Sequence, residues 1–342
     1  MTRRTQTAAG IALVAALLPR ALRARRRIAF RGRSVVITGG SRGLGLEIAR
    51  QLAAEGARLT LCARDEQELL RAKDDLLQRS PDADVALETR DVSEAEEADA
   101  LIRSTLERTG RIDVLINNAG VMTVGPFEHM QISDYAEAMG VHFWAPLRTM
   151  LAAIPAMRRQ RFGRIVNVSS IGGKIGVPHL SPYCASMFAL TGASESLRAE
   201  LARHGIHVTS VCPGLMRTGS PFNAWFRGRH RQEFAWFAIS DSLPLASIDA
   251  SRAAAQVVDA CRHGDAELVI TWPARLAVIL HAIAPQTFAM TMNGANRLLP
   301  SAIDGEPGHR YSGWQSLSSW APSRLTRLTE RAAARNNEVP AG

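Results

Sequence analysis

At 342 residues with 46% apolar and 21% charged side chains, the chain can bury a large core and lacks the composition of a disordered protein. Its formal charge of +9 belongs to residues 1–33, where nine arginines (Arg3, Arg4, Arg20, Arg23, Arg25, Arg26, Arg27, Arg31, Arg33) meet no acid; the remainder is balanced, so nucleic-acid binding by the folded body loses its compositional support. The four cysteines, Cys62, Cys184, Cys212 and Cys261, form no CxxC pair or His/Cys cluster, which argues for buried thiols in a reducing compartment and against a disulfide framework or metal centre.

Residues 1–32 read as a basic, apolar arm. Its apolar part, Ala8–Leu18, is 11 residues long. As a helix it rises about 17 Å, short of a hydrocarbon core of about 30 Å. The arginines that follow it, and the lack of a small-x-small cleavage site, weigh against an export signal. A short apolar helix with a polybasic stretch reads as peripheral contact with the cytoplasmic face of a membrane; the plain alternative is an extension without a role.

Ser34–Thr38 (SVVIT) is a β-rich run followed by a glycine turn, Gly39-Gly40-Ser41-Arg42-Gly43-Leu44-Gly45, and a helical pattern. Strand, glycine turn and helix lay a pyrophosphate on a helix N-terminus, with backbone from Gly39, Ser41, Gly43, Leu44 and Gly45 approaching the phosphates. A second strand, Arg58–Cys62, ends in Ala63-Arg64-Asp65. An acid at that strand end suits ribose hydroxyls, whereas a guanidinium suits a 2′-phosphate, so Arg64 with Arg42 favours NADP(H) over NAD. A helix over Asp65–Arg79 and a strand near Val85–Thr89 lead to Asp91-Val92, where Asp91 is placed to meet an adenine amino group or to begin a turn. A helix over Glu94–Thr109 and a strand over Val114–Asn117 lead into Asn117-Asn118-Ala119-Gly120.

Ile132–Arg161 reads as one long helix interrupted near Pro146 and Pro155. Next, an apolar strand ends at Ser170, and Tyr183 enters a small-residue helix thirteen residues later. Carbonyl reduction or alcohol oxidation needs such a pair, one group to polarise the oxygen and one to exchange its proton. A phenol, with an ordinary pKa near about 10, needs a nearby cation to exchange that proton readily at neutral pH. The residue one turn on, Met187, is uncharged.

With TGGSRGLG, NNAG and the Ser170/Tyr183 pair in this order, residues 33–273 closely resemble the short-chain dehydrogenase/reductase family. The resemblance implies an α/β fold, a doubly wound parallel Rossmann sheet of about seven strands, and nicotinamide-dependent oxidoreduction in a homo-oligomer. It implies that Asn118 lies near the adenosine ribose, with Ala119 and Gly120 also at the cofactor while NNAG braces the central strand, and that Ser170 binds the substrate oxygen. Tyr183 becomes the general acid in reduction and base in oxidation, close to the bound cofactor. The loop after the strand Val208–Cys212, with Pro213, Gly214 and Thr218, meets the nicotinamide carboxamide. Met187 stands where the family carries a lysine that lowers the tyrosine pKa and bonds the ribose; losing such a charge-assisted bond costs about 1.5–3 kcal/mol. His142 stands where the family places a water-holding asparagine, and is read either as part of a proton relay or as a packed helix residue. Lys174 is the one lysine near enough in sequence to replace the missing cation.

Six aromatics between Ser220 and Leu245 (Phe222, Trp225, Phe226, Phe234, Trp236, Phe237) suggest a wall for a bulky apolar substrate or a packing face. Arg227, Arg229, His230 and Arg231 read as a solvated rim rather than an anion site. A helix over Asp249–His263 and a strand over Leu268–Ile270 close the domain. The apolar residues 274–300 read as a helical extension that caps the pocket or touches a membrane, and residues 301–342 as a mostly flexible polar tail with a short helix near Arg324–Arg335. The expected activity is interconversion of a hydroxyl and a carbonyl on an apolar, lipid-like substrate, weakened by Met187. The competing reading is a nucleotide-binding sensor or scaffold without turnover.

Overall fold

The computed structural model describes residues 20–303 and 308–339; the apolar run Ala8–Leu18 lies outside the described residues. Seven parallel strands form the central sheet: β1 Ser34–Thr38, β2 Arg58–Ala63, β3 Asp84–Thr89, β4 Val114–Asn117, β5 Gly163–Val168, β6 Ile206–Pro213 and β7 Glu267–Ile270, in the order β7-β6-β5-β4-β1-β2-β3. The order reverses between β1 and β4, whose register pairs Thr38 with Asn117. The glycine turn after β1 and the NNAG turn after β4 therefore open side by side at the C-terminal edge, the switch point where such sheets bind ligands.

The central strands read as continuous apolar runs because helices cover both faces. Alternation along β1 sends Val35 and Ile37 into one core and Val36 into the other. The first core lies under α1 (Gly43–Ala54), α2 (Glu66–Arg79) and the later helix α8 (Ala250–His263). The second lies under α3 (Ala95–Thr109) and α5 (Ala145–Gln160), together with the C-terminal end of the long helix α6 (Ser181–Leu201). Local chemistry fixes the helix ends: Asp65 caps α2 by accepting from Glu68 N at 2.9 Å, and Asp249 caps α8 by accepting from Ser251 N at 3.0 Å.

The long helix expected over Ile132–Arg161 is divided. α4 (Ile132–Met139) passes through a π turn, Gly140–Trp144, into α5, with Ala145 N–H reaching back to Gly140 O. Pro146, with no N–H to give, sits in the first turn after the widening.

The basic stretch is partly consumed by the fold. Arg23 pairs with Asp265 at 2.9 Å, and Arg33 with the buried Asp113 at 2.9 Å, while Arg20, Arg25, Arg27 and Arg31 stay exposed. Cys62, Cys184, Cys212 and Cys261 are buried free thiols.

Four of the six aromatics turn inward. Phe222, Phe226, Phe234 and Phe237 are almost fully buried with Leu180 and Cys184, Phe234 and Phe237 coming from α7 (His230–Asp241). The packing face, not an open substrate wall, is what these rings build. Arg227 is likewise no solvated rim residue: it is buried against Asp134 at 2.8 Å.

Beyond β7, α9 (Trp272–Ile283) and α10 (Pro285–Asn296) leave Trp272, Leu276, Ile279, Ile283 and Met290 exposed. No helix among the described residues is long and apolar enough to cross a membrane. Where polar composition suggests a loosely attached tail, residues 308–339 pack on the domain, with Ala321, Thr326, Ala332 and Ala333 buried and α11 formed over Arg327–Arg335.

Candidate active site

The glycine turn is built around close contacts. Gly39 has φ +64°, and a Cβ there would stand 2.8 Å from Ala119 Cα; a Cβ on Gly45 would collide with the Gly39 carbonyl. Asn118 fastens the turn to the NNAG loop: its backbone N–H donates to Thr38 Oγ1 at 3.0 Å and its Nδ2 to Gly39 O at 3.0 Å. Asn118 and Ala119 of the NNAG turn thus brace the cradle directly. A buried polar chain continues inward, from Asn117 to Asn167 at 2.8 Å and from Asn167 to Ser194 on α6 at 2.8 Å. Glycine turn, β5 and the tyrosine helix are thereby held in one frame.

At the adenosine end, Arg64 is exposed and stands 3.8 Å from Asp91. Arg42 is already paired with Glu68 at 2.8 Å, and Ser41 Oγ donates to the same carboxylate at 3.0 Å. Asp91 forms a turn, accepting from Ser93 N at 3.0 Å and Ser93 Oγ at 2.6 Å, with Val92 buried beside it. Glu68 gave no sign of itself in the sequence beyond one more helix acid.

At the reactive end, Ser170 follows β5 and accepts from Gly172 N at 3.0 Å. The Tyr183 ring keeps a partly open edge, but its hydroxyl is enclosed. Burial pushes this phenol up to about 12; the neighbouring Ser170 side chain opposes the shift, and the Asp241 carboxyl adds to it. Met187 is buried on the same helix and brings no charge. Lys174 does not replace the missing cation, because its ammonium is committed to Glu195 at 2.9 Å and to Glu267. The neighbouring Ser169 Oγ donates to Met187 O at 3.2 Å, and Ser181 pairs with Tyr135 at 2.8 Å.

His142 is packed as a brace between the NNAG turn and the tyrosine helix. Its Nε2 accepts from Val121 N at 3.1 Å, so the proton is on Nδ1, 2.8 Å from Ser186 Oγ. Ser186 passes its own hydrogen to Tyr183 O at 2.8 Å, and the imidazole meets the Tyr183 ring edge-on at 5.3 Å. With burial lowering its pKa to about 4, the ring stays neutral and both nitrogens are used.

On the far wall, Pro213 ends β6, Gly214 packs against Ala274 of α9 and Thr218 is buried, 2.6 Å from Ser220 Oγ. Two acids unnoticed in the sequence complete the interior. Asp241 is held well above the usual carboxylate range by burial and by Glu338, and burial pushes Glu338 itself up to about 7.

A parallel sheet with a glycine-rich turn at its switch point, and a serine and tyrosine beside it, defines a Rossmann-type oxidoreductase. Residues 33–224 match the family model for short chain dehydrogenase. A protein named as a ketoacyl reductase in Streptomyces coelicolor is 38% identical over 185 residues, 54% of this chain and 70% of that one. Dehydrogenase/reductase SDR family member 7B of Danio rerio is 37% identical over 64% of this chain and 72% of its own. The 3-ketodihydrosphingosine reductase of Mus musculus is 36% identical over 54% of this chain and 57% of its own. Among solved structures, levodione reductase superposes with a TM-score of 0.63 at 29% identity, covering 71% of this chain and 97% of that one. The chain belongs to the short-chain dehydrogenase/reductase family, whose members bind NAD(P), and is an oxidoreductase of that family.

The residues present fit a dinucleotide: a glycine cradle opening onto the N-terminus of α1, with a carboxylate already held against it by Gly219 N–H at 2.6 Å.

Proposed function

We propose that the protein reduces a carbonyl, or oxidises the matching alcohol, on an apolar and lipid-like substrate with preference for NADP(H). The observation that carries this reading is the placement of Ser170 and Tyr183 at the edge of the sheet that bears the glycine cradle, where Gly172 gives its N–H to Ser170 Oγ at 3.0 Å and packs against the Tyr183 ring. A bound nicotinamide dinucleotide would supply the hydride. Ser170 would then hold the substrate oxygen, and Tyr183 would give it a proton in reduction or take one in oxidation. Gly39, Ser41, Gly43, Leu44 and Gly45 would line the phosphates, with Asn118 keeping the turn in shape. The names of the ketoacyl and 3-ketodihydrosphingosine reductases support a ketone on an acyl or sphingoid chain, including β-oxo acyl compounds, as the substrate class to test. A panel of such ketones with NADPH, followed by nucleotide oxidation, tests the assignment. NADPH binding without turnover of any member favours the sensor reading, which the buried Met187 and the engaged Lys174 support.

Arg64, exposed and only loosely paired with Asp91 at 3.8 Å, is the guanidinium more readily offered to a 2′-phosphate, since Arg42 must first leave Glu68, 2.8 Å away. Arg64→Ala is expected to weaken NADPH about tenfold while leaving NADH within about twofold, as loss of one exposed charge-assisted contact implies; titration calorimetry with both nucleotides reads the difference.

The reading extends to a peripheral membrane position. Residues 268–303 contain no acid, and the exposed Trp272, Leu276, Ile279, Ile283 and Met290 present an apolar surface near Arg275 and Arg297. Cosedimentation with vesicles containing anionic lipid is expected for the native chain and reduced for Ile279→Glu/Ile283→Glu; equal recovery of both in the supernatant contradicts it.

A further inference from the structure

Residues 336–338 lie in the cofactor cradle. Gly43, the first residue of α1, gives its N–H to Asn336 O at 3.0 Å. Asn337 Nδ2 donates to the carbonyls of Ser41 at 2.9 Å and Glu68 at 3.0 Å, and Arg71 donates to Asn337 Oδ1 at 2.9 Å. Glu338 then bridges the two walls. Its Oε2 accepts from Gly219 N at 2.6 Å, and its Oε1 lies 3.2 Å from where a Cβ on Gly43 would stand. The donors that a pyrophosphate needs at a glycine turn are amides of this kind, and an anionic carboxylate at a helix N-terminus satisfies the same electrostatics.

The approach is anchored over a long path. Arg50 donates to Asn336 Oδ1 at 3.1 Å and to Arg335 O at 3.0 Å, Arg335 pairs with Asp249 at 3.0 Å, and Thr329 accepts from Ser242 Oγ at 2.8 Å. α11 therefore lies across the cleft between α1 and the end of α7, with Glu338 buried at its tip. Gly219 is the sequence feature that admits it: a Cβ there would meet Ala333 Cβ at 2.9 Å. The segment lies outside the residues 33–224 matched by the family model.

We propose that Asn336–Glu338 is an intramolecular occupant of the dinucleotide phosphate seat, an autoinhibitory contact that must leave before a cofactor enters. The proposal rests on the cofactor reading given above. An N–H has one hydrogen to give, so Gly43 cannot serve tail and phosphate together, and Glu338 held by Gly219 N–H closes the seat from the opposite wall. The apparent cofactor affinity then falls by the fraction of molecules whose seat is open.

Glu338→Ala in the full chain, and a chain ending at Arg335, are each expected to bind NADPH at least about tenfold more tightly than the native chain, which corresponds to a seat open in about a tenth of molecules. NADPH is also expected to speed hydrogen exchange at the Asn336 and Glu338 amides, which donate to Ala332 O and Ala333 O at 3.0 Å each. Equal NADPH affinity in all three chains overturns the proposal, and so does unchanged exchange on saturation. Should no chain bind NADPH, inorganic pyrophosphate decides: binding only by the altered chains retains the plug and removes the nicotinamide reading, whereas equal binding or none removes the plug. If the shortened chain fails to fold by circular dichroism, Glu338→Ala carries the decision.

Discussion

Replacing Tyr183 with phenylalanine is expected to cut turnover by about 10²–10⁴-fold, the usual contribution of a positioned acid–base group. The substitution is clean in this setting. The ring that meets His142 edge-on at 5.3 Å is kept, as is the backbone carbonyl that accepts from Ser186, so the fold loses little. What disappears is the hydroxyl beside Ser170, the group proposed to exchange the substrate's proton. Initial rates with a β-oxo substrate and NADPH, alongside melting temperatures, read both effects. Unchanged turnover in a folded Tyr183→Phe protein removes the phenol from the mechanism.

Introducing lysine at position 187 is expected to work in the opposite direction. A cation within about 4–6 Å of a phenol favours the phenolate by roughly 1–3 pKa units. In the native protein burial has taken Tyr183 up to about 12, so phenolate is scarce at neutral pH while the protonated acid is fully present. Alcohol oxidation, which needs the base form, should therefore rise steadily with pH up to the limit of the protein's stability. In Met187→Lys the same profile should level off at lower pH, with oxidation at pH 7 about tenfold faster or more. Carbonyl reduction gains less from the pKa, because its acid form is already populated. Met187 is almost fully buried, so an ammonium there costs stability and should lower the melting temperature. Superimposable pH–rate profiles for the two proteins would show that the absent lysine does not limit the reaction.

The sheet was legible because each of its signals is local. SVVIT followed by glycines, alternating strand and helix periods, and Asp caps all lie within a few residues of what they specify. Ser34–Thr38 and Val114–Asn117 are read without error, and the other strands differ by a few residues at their ends. The positions of Ser170 and Tyr183 were readable for the same reason, one residue just after a strand and the other in the first turn of a helix. What the sequence hid depends on contacts between distant segments. Glu68 claims Arg42 across a helix turn from another element, His142 is immobilised by Val121 and Ser186, and Glu338 reaches Gly43 from the far end of the chain. The aromatics of 222–237 were ambiguous because composition does not say which face of a short helix turns inward. Polar composition similarly suggested a loose tail, although its buried alanines and threonines are small enough to pack without apolar bulk.

The central claim is that this site passes a hydride and a proton to a substrate carbonyl with Tyr183 as the proton donor. Its most direct test is isotopic: NADPH deuterated at the nicotinamide C4 position, supplied with a long-chain β-oxo substrate, and the alcohol analysed by mass spectrometry. Deuterium on the carbinol carbon with the native protein, and its near absence with Tyr183→Phe at equal protein concentration, is the predicted result. Label that never reaches the substrate, although NADPH binds, would contradict the account.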